Sequence, residues 1–133
     1  ADLGVHLLTG GGGGVMRAVA RGFTSVSARA GLSLGILPGN EDGEAPPGYP
    51  NEFIELSIRT HLPLSGDHGT DARSRNHVNV LSATAIVMLP GGAGTASELT
   101  LAQQYGTPVL SRESWTSIDD VVAWVREVGS PHA

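Results

Sequence analysis

The sequence predicts an α/β fold in three layers, with a mostly parallel sheet and helices on both of its faces. Short apolar runs of strand length alternate with segments whose apolar residues recur at helical spacing. Two of these runs lead directly into glycine-rich turns that open a helix. With 133 residues, 40% of them hydrophobic and 16% charged, the chain is long and apolar enough for one core. We therefore predict one domain over residues 1–133.

The first half of the chain contains three predicted strands. Residues 5–9 form an apolar run that stops at the glycines of residues 10–14, and from Val15 onward the apolar positions predict a helix. Further strands are predicted over residues 33–37 and 55–60. A doubly wound sheet normally begins with a strand and helix of its own, so we expect an N-terminal β-α unit to be missing from this stretch.

The second half repeats the alternation of helix and strand. The last helix is predicted to start near Ser117, because Ser117-x-x-Asp120 is the pattern of a capping box. Before it, the pattern predicts a helix over residues 70–83, a strand over 85–89, a helix over 95–105 and a short strand over 108–110. Crossovers between such parallel strands are right-handed.

The loop over residues 38–51 is rich in proline and glycine and carries three acidic residues. Loops of this length are typically either lids over a site or flexible, solvated segments, and the sequence favours the solvated interpretation without excluding a lid.

Composition excludes several classes of function. The formal net charge of -5 argues against a nucleic-acid partner, and no apolar run approaches the ~20 residues that span a bilayer. The chain has no cysteine, which excludes thiolate metal sites and fits a cytoplasmic protein. All eight basic residues are arginines, so neither a Walker-type lysine nor a Schiff base is available. An anion must therefore be held by arginine, by backbone N–H groups or by a metal.

Two glycine-rich turns are the candidate ligand-binding segments of the sequence. The first glycine turn, residues 10–14, and the second, residues 90–94, each follow a predicted strand and precede a predicted helix. In this setting backbone N–H groups and the positive end of a helix face an anion such as phosphate. Either turn alone could be a tight connection, but together they indicate an anion site. The candidate groups are those of Gly11, Gly12, Gly13 and Gly14, and of Gly91, Gly92, Ala93, Gly94 and Thr95.

The second turn with its helix, Pro90-Gly91-Gly92-x-Gly94-Thr95-x-x-Glu98, resembles the PGGxGTxxE signature of the Lonely-guy superfamily. Residues 10–16 resemble the GGGxxGVM segment of the same superfamily. The resemblance implies a Rossmann-like fold and a homodimer. Some members cut the N-glycosidic bond of nucleoside 5′-monophosphates such as AMP or a cytokinin riboside monophosphate. In such a phosphoribohydrolase, Arg75 and Glu98 would be the catalytic pair.

A narrower resemblance is to the molybdenum cofactor carrier proteins within this superfamily. It lies in residues 35–39, in Arg59-Thr60-His61-Leu62-Pro63, in residues 69–71, and in residues 74–81, which begin Ser74-Arg75-Asn76. Asn76 departs from the arginine-lysine pair typical of the hydrolases. The resemblance implies a homo-oligomer that binds the anionic molybdopterin cofactor without ligating its metal and passes it to molybdoenzymes. Its implied contacts are the two glycine turns with Ser74, Arg75 and Glu98.

Structural alternatives remain for the two charged residues. Thr95-x-x-Glu98 is itself the pattern of a capping box, and in that alternative Glu98 serves only to start a helix. Arg75 lies four residues after Asp71, and in that alternative the two side chains pair on a helix surface. His61, His68 and His77 with Asp67 match no strong metal-ligand spacing, so no protein-ligated metal is expected.

Overall fold

The strands of the computed structural model pair in parallel throughout, and they form two separate sheets. The structure describes residues 1–129. The three-stranded sheet has the order β1 (Leu7–Thr9), β2 (Ser33–Leu37), β3 (Leu56–Arg59), and the two-stranded sheet joins β4 (Ile86–Val87) to β5 (Val109–Leu110). The parallel pairing and the alternation with helices agree with the predicted α/β class.

Four α-helices connect or follow the strands. They are α1 (Val15–Thr24), α2 (Asn76–Ser82), α3 (Ala93–Tyr105) and α4 (Ile118–Gly129), with short 3₁₀ turns at Gly66–His68 and Arg112–Ser114. None of the helices within residues 1–129 is both long and apolar enough to cross a bilayer.

The core has two parts, one for each sheet. In the larger sheet β2 is the central strand, and its Ile36 and Leu37 are buried. In the smaller sheet β4 and β5 pack beneath α2 and α3, where Val80, Leu101 and Ala102 form a cluster. Burial of these apolar side chains provides the main driving force for folding.

The predicted helix over residues 70–83 is wrong in its first half, since α2 begins only at Asn76. Asp71 explains the difference, because its Oδ1 accepts a hydrogen bond from Arg73 N at 2.9 Å and fixes a turn. The predicted pairing of Asp71 with Arg75 does not form among the described residues, and Arg75 is instead buried.

The two predicted capping boxes have opposite outcomes. At α4 the box forms, with Ser117 N donating to Asp120 Oδ2 at 3.1 Å and Asp120 N donating to Ser117 Oγ at 3.3 Å. At α3 the interpretation of Thr95 as the cap is wrong, because the helix already begins at Ala93 and Gly92 is its N-cap. Glu98 is therefore not needed to start the helix.

Candidate functional site

A cavity of about 330 Å³ brings the two glycine turns together. We call it the central cavity. Seven of the residues singled out from the sequence line it: Gly13, Arg75, Gly91, Gly92, Gly94, Thr95 and Glu98. Six more complete the wall: Val15, Met16, Tyr49, Ser65, Gly66 and Asn76. Both turns follow the carboxyl ends of parallel strands, which is where open α/β sheets bind ligands.

Two helix N-termini border the central cavity. The first intrahelical bond of α1 runs from Ala18 N to Gly14 O, and that of α3 from Ala96 N to Gly92 O. The N–H groups ahead of these two donors have no partner within their helices, and the helix dipoles add positive potential there. The lining residues Gly13 and Gly92 lie just before these helix starts, so both helix ends favour an anion in the cavity.

Arg75 supplies the cationic side chain of the cavity, and it is only 4% exposed. Its Nη1 donates to Asn76 Oδ1, while its buried Nε has no hydrogen-bond partner among residues 1–129. Burial lowers the pKa of Arg75, and the neighbouring Tyr49 and Glu98 oppose this shift. A buried cation with an unused donor is a ready partner for an anionic oxygen.

Gly10 is what allows Arg75 to lie in this position. A Cβ atom at residue 10 would collide with the Arg75 guanidinium, so only glycine permits the contact. Gly12 has a similar role, because a Cβ there would lie 2.8 Å from Met16 Cε and from the Tyr49 ring. The first glycine turn therefore serves to seat three side chains as well as to expose backbone.

Glu98 brings a carboxyl group into the same cavity. Burial raises its pKa, and the positive charge of Arg75 partly opposes the rise. Within the described part of the chain, the two side chains do not form a salt bridge with each other. The cavity thus holds a cation and a carboxyl that remain available to a ligand.

The loop over residues 38–55 carries Tyr49 to the cavity and is bonded to the first glycine turn. Asn51 N donates to Gly11 O and Asn51 Nδ2 donates to Gly12 O, both at 2.8 Å. On the outer surface Arg17 of α1 forms an ion pair with Glu52 of the loop. Tyr49 therefore makes this loop part of the wall of the site, while most residues over 38–51 are exposed to solvent, as the sequence favoured.

Ser65 and Gly66 reach the cavity through a contact with α3. Ser97 Oγ donates to Gly66 O at 3.0 Å, and Ser97 is buried. This bond fixes the 3₁₀ turn at Gly66–His68 beside the N-terminal half of the helix.

Five residues singled out from the sequence do not line the central cavity: Gly11, Gly12, Gly14, Ser74 and Ala93. Ser74 is fully buried, and its Oγ accepts a hydrogen bond from Asn76 N at 3.1 Å at the start of α2. Gly11 has a φ of 77° and would place a Cβ against Leu37. Gly11 and Ser74 therefore support the site from behind its surface, whereas Gly14 and Ala93 are exposed outside it.

Tyr49 is the main lining residue that sequence reasoning missed. The sequence did mark it, because Tyr49 is the one aromatic residue in the loop over residues 38–51. Asn76 was noted only as a departure from a motif, and nothing in the sequence marked Ser65 or Gly66.

Two of the histidines singled out from the sequence, His61 and His77, have hydrogen-bond partners within the protein. His61 Nδ1 donates to Glu41 O at 2.8 Å, while His77 accepts from the Tyr105 hydroxyl at 2.7 Å and donates to Asp71 O at 3.0 Å. Over residues 1–129, no three histidine, aspartate or glutamate side chains are grouped to hold a metal ion.

Comparisons with known proteins connect this site to a family. The chain is 34% identical over 111 residues to an uncharacterized protein of Archaeoglobus fulgidus, and the match covers 84% of this chain but spans only 62% of that relative's length. Among solved structures it is similar to the molybdenum cofactor binding protein of the phototrophic bacterium Rippkaea orientalis. That match has a TM-score of 0.62 and 27% identity, and it covers 96% of this chain and 68% of the other.

The fold is also shared with the molybdenum cofactor carrier protein MCP of Chlamydomonas reinhardtii, with a TM-score of 0.68, 24% identity, and coverage of 93% of this chain and 76% of the other. These likenesses confirm the predicted Rossmann-like α/β class. The sequence model of the SLOG cluster4 family matches residues 1–127, and this chain therefore belongs to the SLOG cluster4 family.

Proposed function

We propose that this protein binds, protects and carries an anionic, phosphate-bearing ligand of the molybdenum cofactor type. One observation carries the proposal: Arg75 is a buried cation with an unpartnered Nε, in a cavity lined by both glycine turns. A buried cationic donor without a hydrogen-bond partner destabilises a fold, and an anionic ligand that accepts from it removes that cost.

The phosphate of the cofactor would lie between the two helix N-termini. In this proposal, backbone N–H groups of Gly13 and of residues 91–95 bind its oxygens, and Arg75 donates from the side. Because the chain has no cysteine, it cannot hold the metal through a thiolate. In this proposal the protein therefore contacts the phosphate and the pterin ring of the cofactor. The Rippkaea orientalis protein, described as a molybdenum cofactor binding protein, supports this choice of ligand.

The wider setting of the proposal is a cytoplasmic homo-oligomer that delivers the cofactor to molybdoenzymes. The absence of cysteine supports a reducing compartment. Exposed apolar side chains such as Leu81 and Ile118, which are 61% and 68% exposed, support self-association. Light scattering on the purified protein measures the oligomeric state directly.

The test compares cofactor survival with three forms of the protein. Molybdenum cofactor released from a molybdoenzyme is incubated in air with the wild type, with Arg75→Gln or with Arg73→Gln, and the surviving fraction is read from reconstitution of a cofactor-free molybdoenzyme. Arg73 is an exposed arginine of the same segment and makes a matched control. We expect Arg75→Gln to weaken binding at least about tenfold, since charged hydrogen bonds contribute ~1.5–3 kcal/mol.

Two results would contradict the proposal. One is protection by Arg75→Gln equal to that of the wild type. The other is protection by the wild type no greater than that of an unrelated acidic protein.

The phosphoribohydrolase alternative has one observation in its favour, because Arg75 and Glu98 share the cavity. Its chemistry needs an ionised carboxylate to stabilise an oxocarbenium-like transition state. Burial opposes that form by raising the pKa of Glu98. Incubation with AMP, followed by chromatography, tests this alternative, which requires the wild type to release more adenine than Glu98→Gln.

A further inference from the structure

A second cavity of about 360 Å³ lies beside the central one, and Tyr49 belongs to the walls of both. We call it the ring cavity. It opens near the carboxyl ends of β2 and β3, where Leu37 and Arg59 are direct neighbours in the sheet. Its apolar wall includes Leu37, Ala45 and Pro50. None of these residues belongs to either glycine turn.

Two opposite charges line the ring cavity without pairing. Glu44 is fixed by its backbone, since Glu44 N donates to Asn40 Oδ1 at 2.9 Å and its carbonyl accepts from Asn40 N at 3.0 Å. Arg59 is fixed by its place in β3. Within residues 1–129 neither side chain forms an ion pair, with the other or with any third group. Among the described residues the Glu44 carboxylate accepts one hydrogen bond, from Asn40 Nδ2 at 3.3 Å, and neither charge is neutralised by an ion pair.

We propose that the ring cavity recognises the 2-amino-4-oxopyrimidine edge of a pterin ring, while the central cavity holds the phosphate of the same ligand. This inference rests on the proposed function and names the part of the ligand that the second cavity binds. Because Tyr49 lines both cavities, they are direct neighbours, and one elongated ligand can place its two ends in them.

The chemistry of the two charges matches that edge. The pterin N3–H and 2-amino groups are adjacent donors, which suit the carboxylate of Glu44, and the neighbouring O4 is an acceptor, which suits the guanidinium of Arg59. The same residue types read the amino and oxo groups of nucleic-acid bases. The flat ring faces are apolar enough to lie against Ala45, Pro50 and the Tyr49 ring.

The phosphate does not suit the ring cavity. No helix of the described chain begins at its wall, and the Glu44 carboxylate repels an anion. The two cavities therefore divide the ligand by charge, with the anionic end at Arg75 and the ring at Glu44.

The test uses two fluorescent ligands without phosphate, 6-hydroxymethylpterin and 6-hydroxymethyl-lumazine. The lumazine has a second oxo group where the pterin has its 2-amino group, so it loses one donor and repels Glu44. At mildly acidic pH, where both rings are neutral, fluorescence polarisation should give the wild type a preference for the pterin of about tenfold. Glu44→Gln should abolish most of that preference. Glu41→Gln removes the same charge from the same loop outside the cavity and should keep the preference.

Titration of inorganic phosphate in the same preparations separates this inference from the proposed function. One result would overturn the proposed role of the ring cavity and leave the proposed function standing. In that result phosphate binds through Arg75, but the protein binds the pterin and the lumazine equally well. Displacement of the pterin by saturating phosphate would also overturn it, because the two cavities are separate. Loss of phosphate binding with the pterin preference intact would overturn the proposed function and support the ring site.

Discussion

Gly10 and Arg75 lie side by side at the back of the central cavity, and the contact between them determines where the cation sits. The guanidinium occupies the space that a side chain at residue 10 would fill. Because this neighbour is the end of a side chain and not backbone, a small residue at position 10 displaces Arg75 with little harm to the fold.

Gly10→Ala is therefore expected to weaken binding of inorganic phosphate about tenfold or more, while the free energy of unfolding changes by about 1 kcal/mol. Gly22→Ala is the matched control, since no atom lies within 4 Å of the added Cβ in α1. That change should stabilise the protein by ~0.5–1 kcal/mol through helix propensity and leave phosphate binding unaltered. Isothermal titration calorimetry with urea denaturation checks both quantities, and unchanged affinity in Gly10→Ala would contradict the account.

At the scale of elements, the loop over residues 38–55 and the first glycine turn form one unit through Asn51. This residue is 7% exposed, donates twice to the turn, and accepts from Phe53 N at 3.0 Å. Its side chain thus satisfies a buried carbonyl of the turn while holding Tyr49 beside the cavity.

Asn51→Asp removes the donor to Gly12 O and should cost ~1–3 kcal/mol of stability, because it leaves a buried carbonyl unsatisfied. Glu52→Gln, one residue further on, breaks the exposed pair with Arg17 and should cost far less. Urea denaturation midpoints compare the two variants. A loss in Asn51→Asp no greater than that in Glu52→Gln would show that the bond does not hold the loop.

The sequence predicts most of the elements that depend on neighbouring residues, and it misses those that depend on contacts between distant segments. The strand–glycine–helix order follows from short-range patterns, and the helices after both glycine turns were predicted within two residues of their observed starts. The start of α2 was missed because a single hydrogen bond of Asp71 outweighs helical spacing. Tyr49 was missed because its approach to Gly12 joins segments far apart in the chain, which no local pattern records.

At the scale of the whole molecule, the partly buried Glu98 links stability to pH. Burial raises its pKa above the ordinary value of 4.5, so the folded state holds the proton more tightly than the unfolded state. The corresponding stability is fully present below pH 4.5 and is lost as the pH rises through the folded-state pKa.

Glu98→Gln should therefore gain stability over the wild type as the pH rises above about 4.5, by an amount of the order of 1 kcal/mol. Glu52→Gln should show the opposite trend, because hydrogen bonding to Arg17 lowers the pKa of Glu52. Urea midpoints measured across a pH series give both slopes. If the stability of the wild type instead rose relative to that of Glu98→Gln as the pH increased, burial would not be the dominant influence on the Glu98 carboxyl.

Across the whole molecule, the central cavity collects residues from β1–α1, the loop after β2, the 3₁₀ turn at Gly66–His68, and the start of α3. An anion bound there contacts segments attached to both sheets. Its binding should consequently stabilise the fold as a whole, by an amount that grows with the logarithm of ligand concentration.

The most direct test is a crystal structure of the protein with the molybdenum cofactor bound under anaerobic conditions, in which the position of the phosphate is measured. The account predicts phosphate oxygens within hydrogen-bond distance of N–H groups from both glycine turns and of the Arg75 guanidinium. A phosphate bound away from Arg75, or held by only one of the two turns, would contradict it.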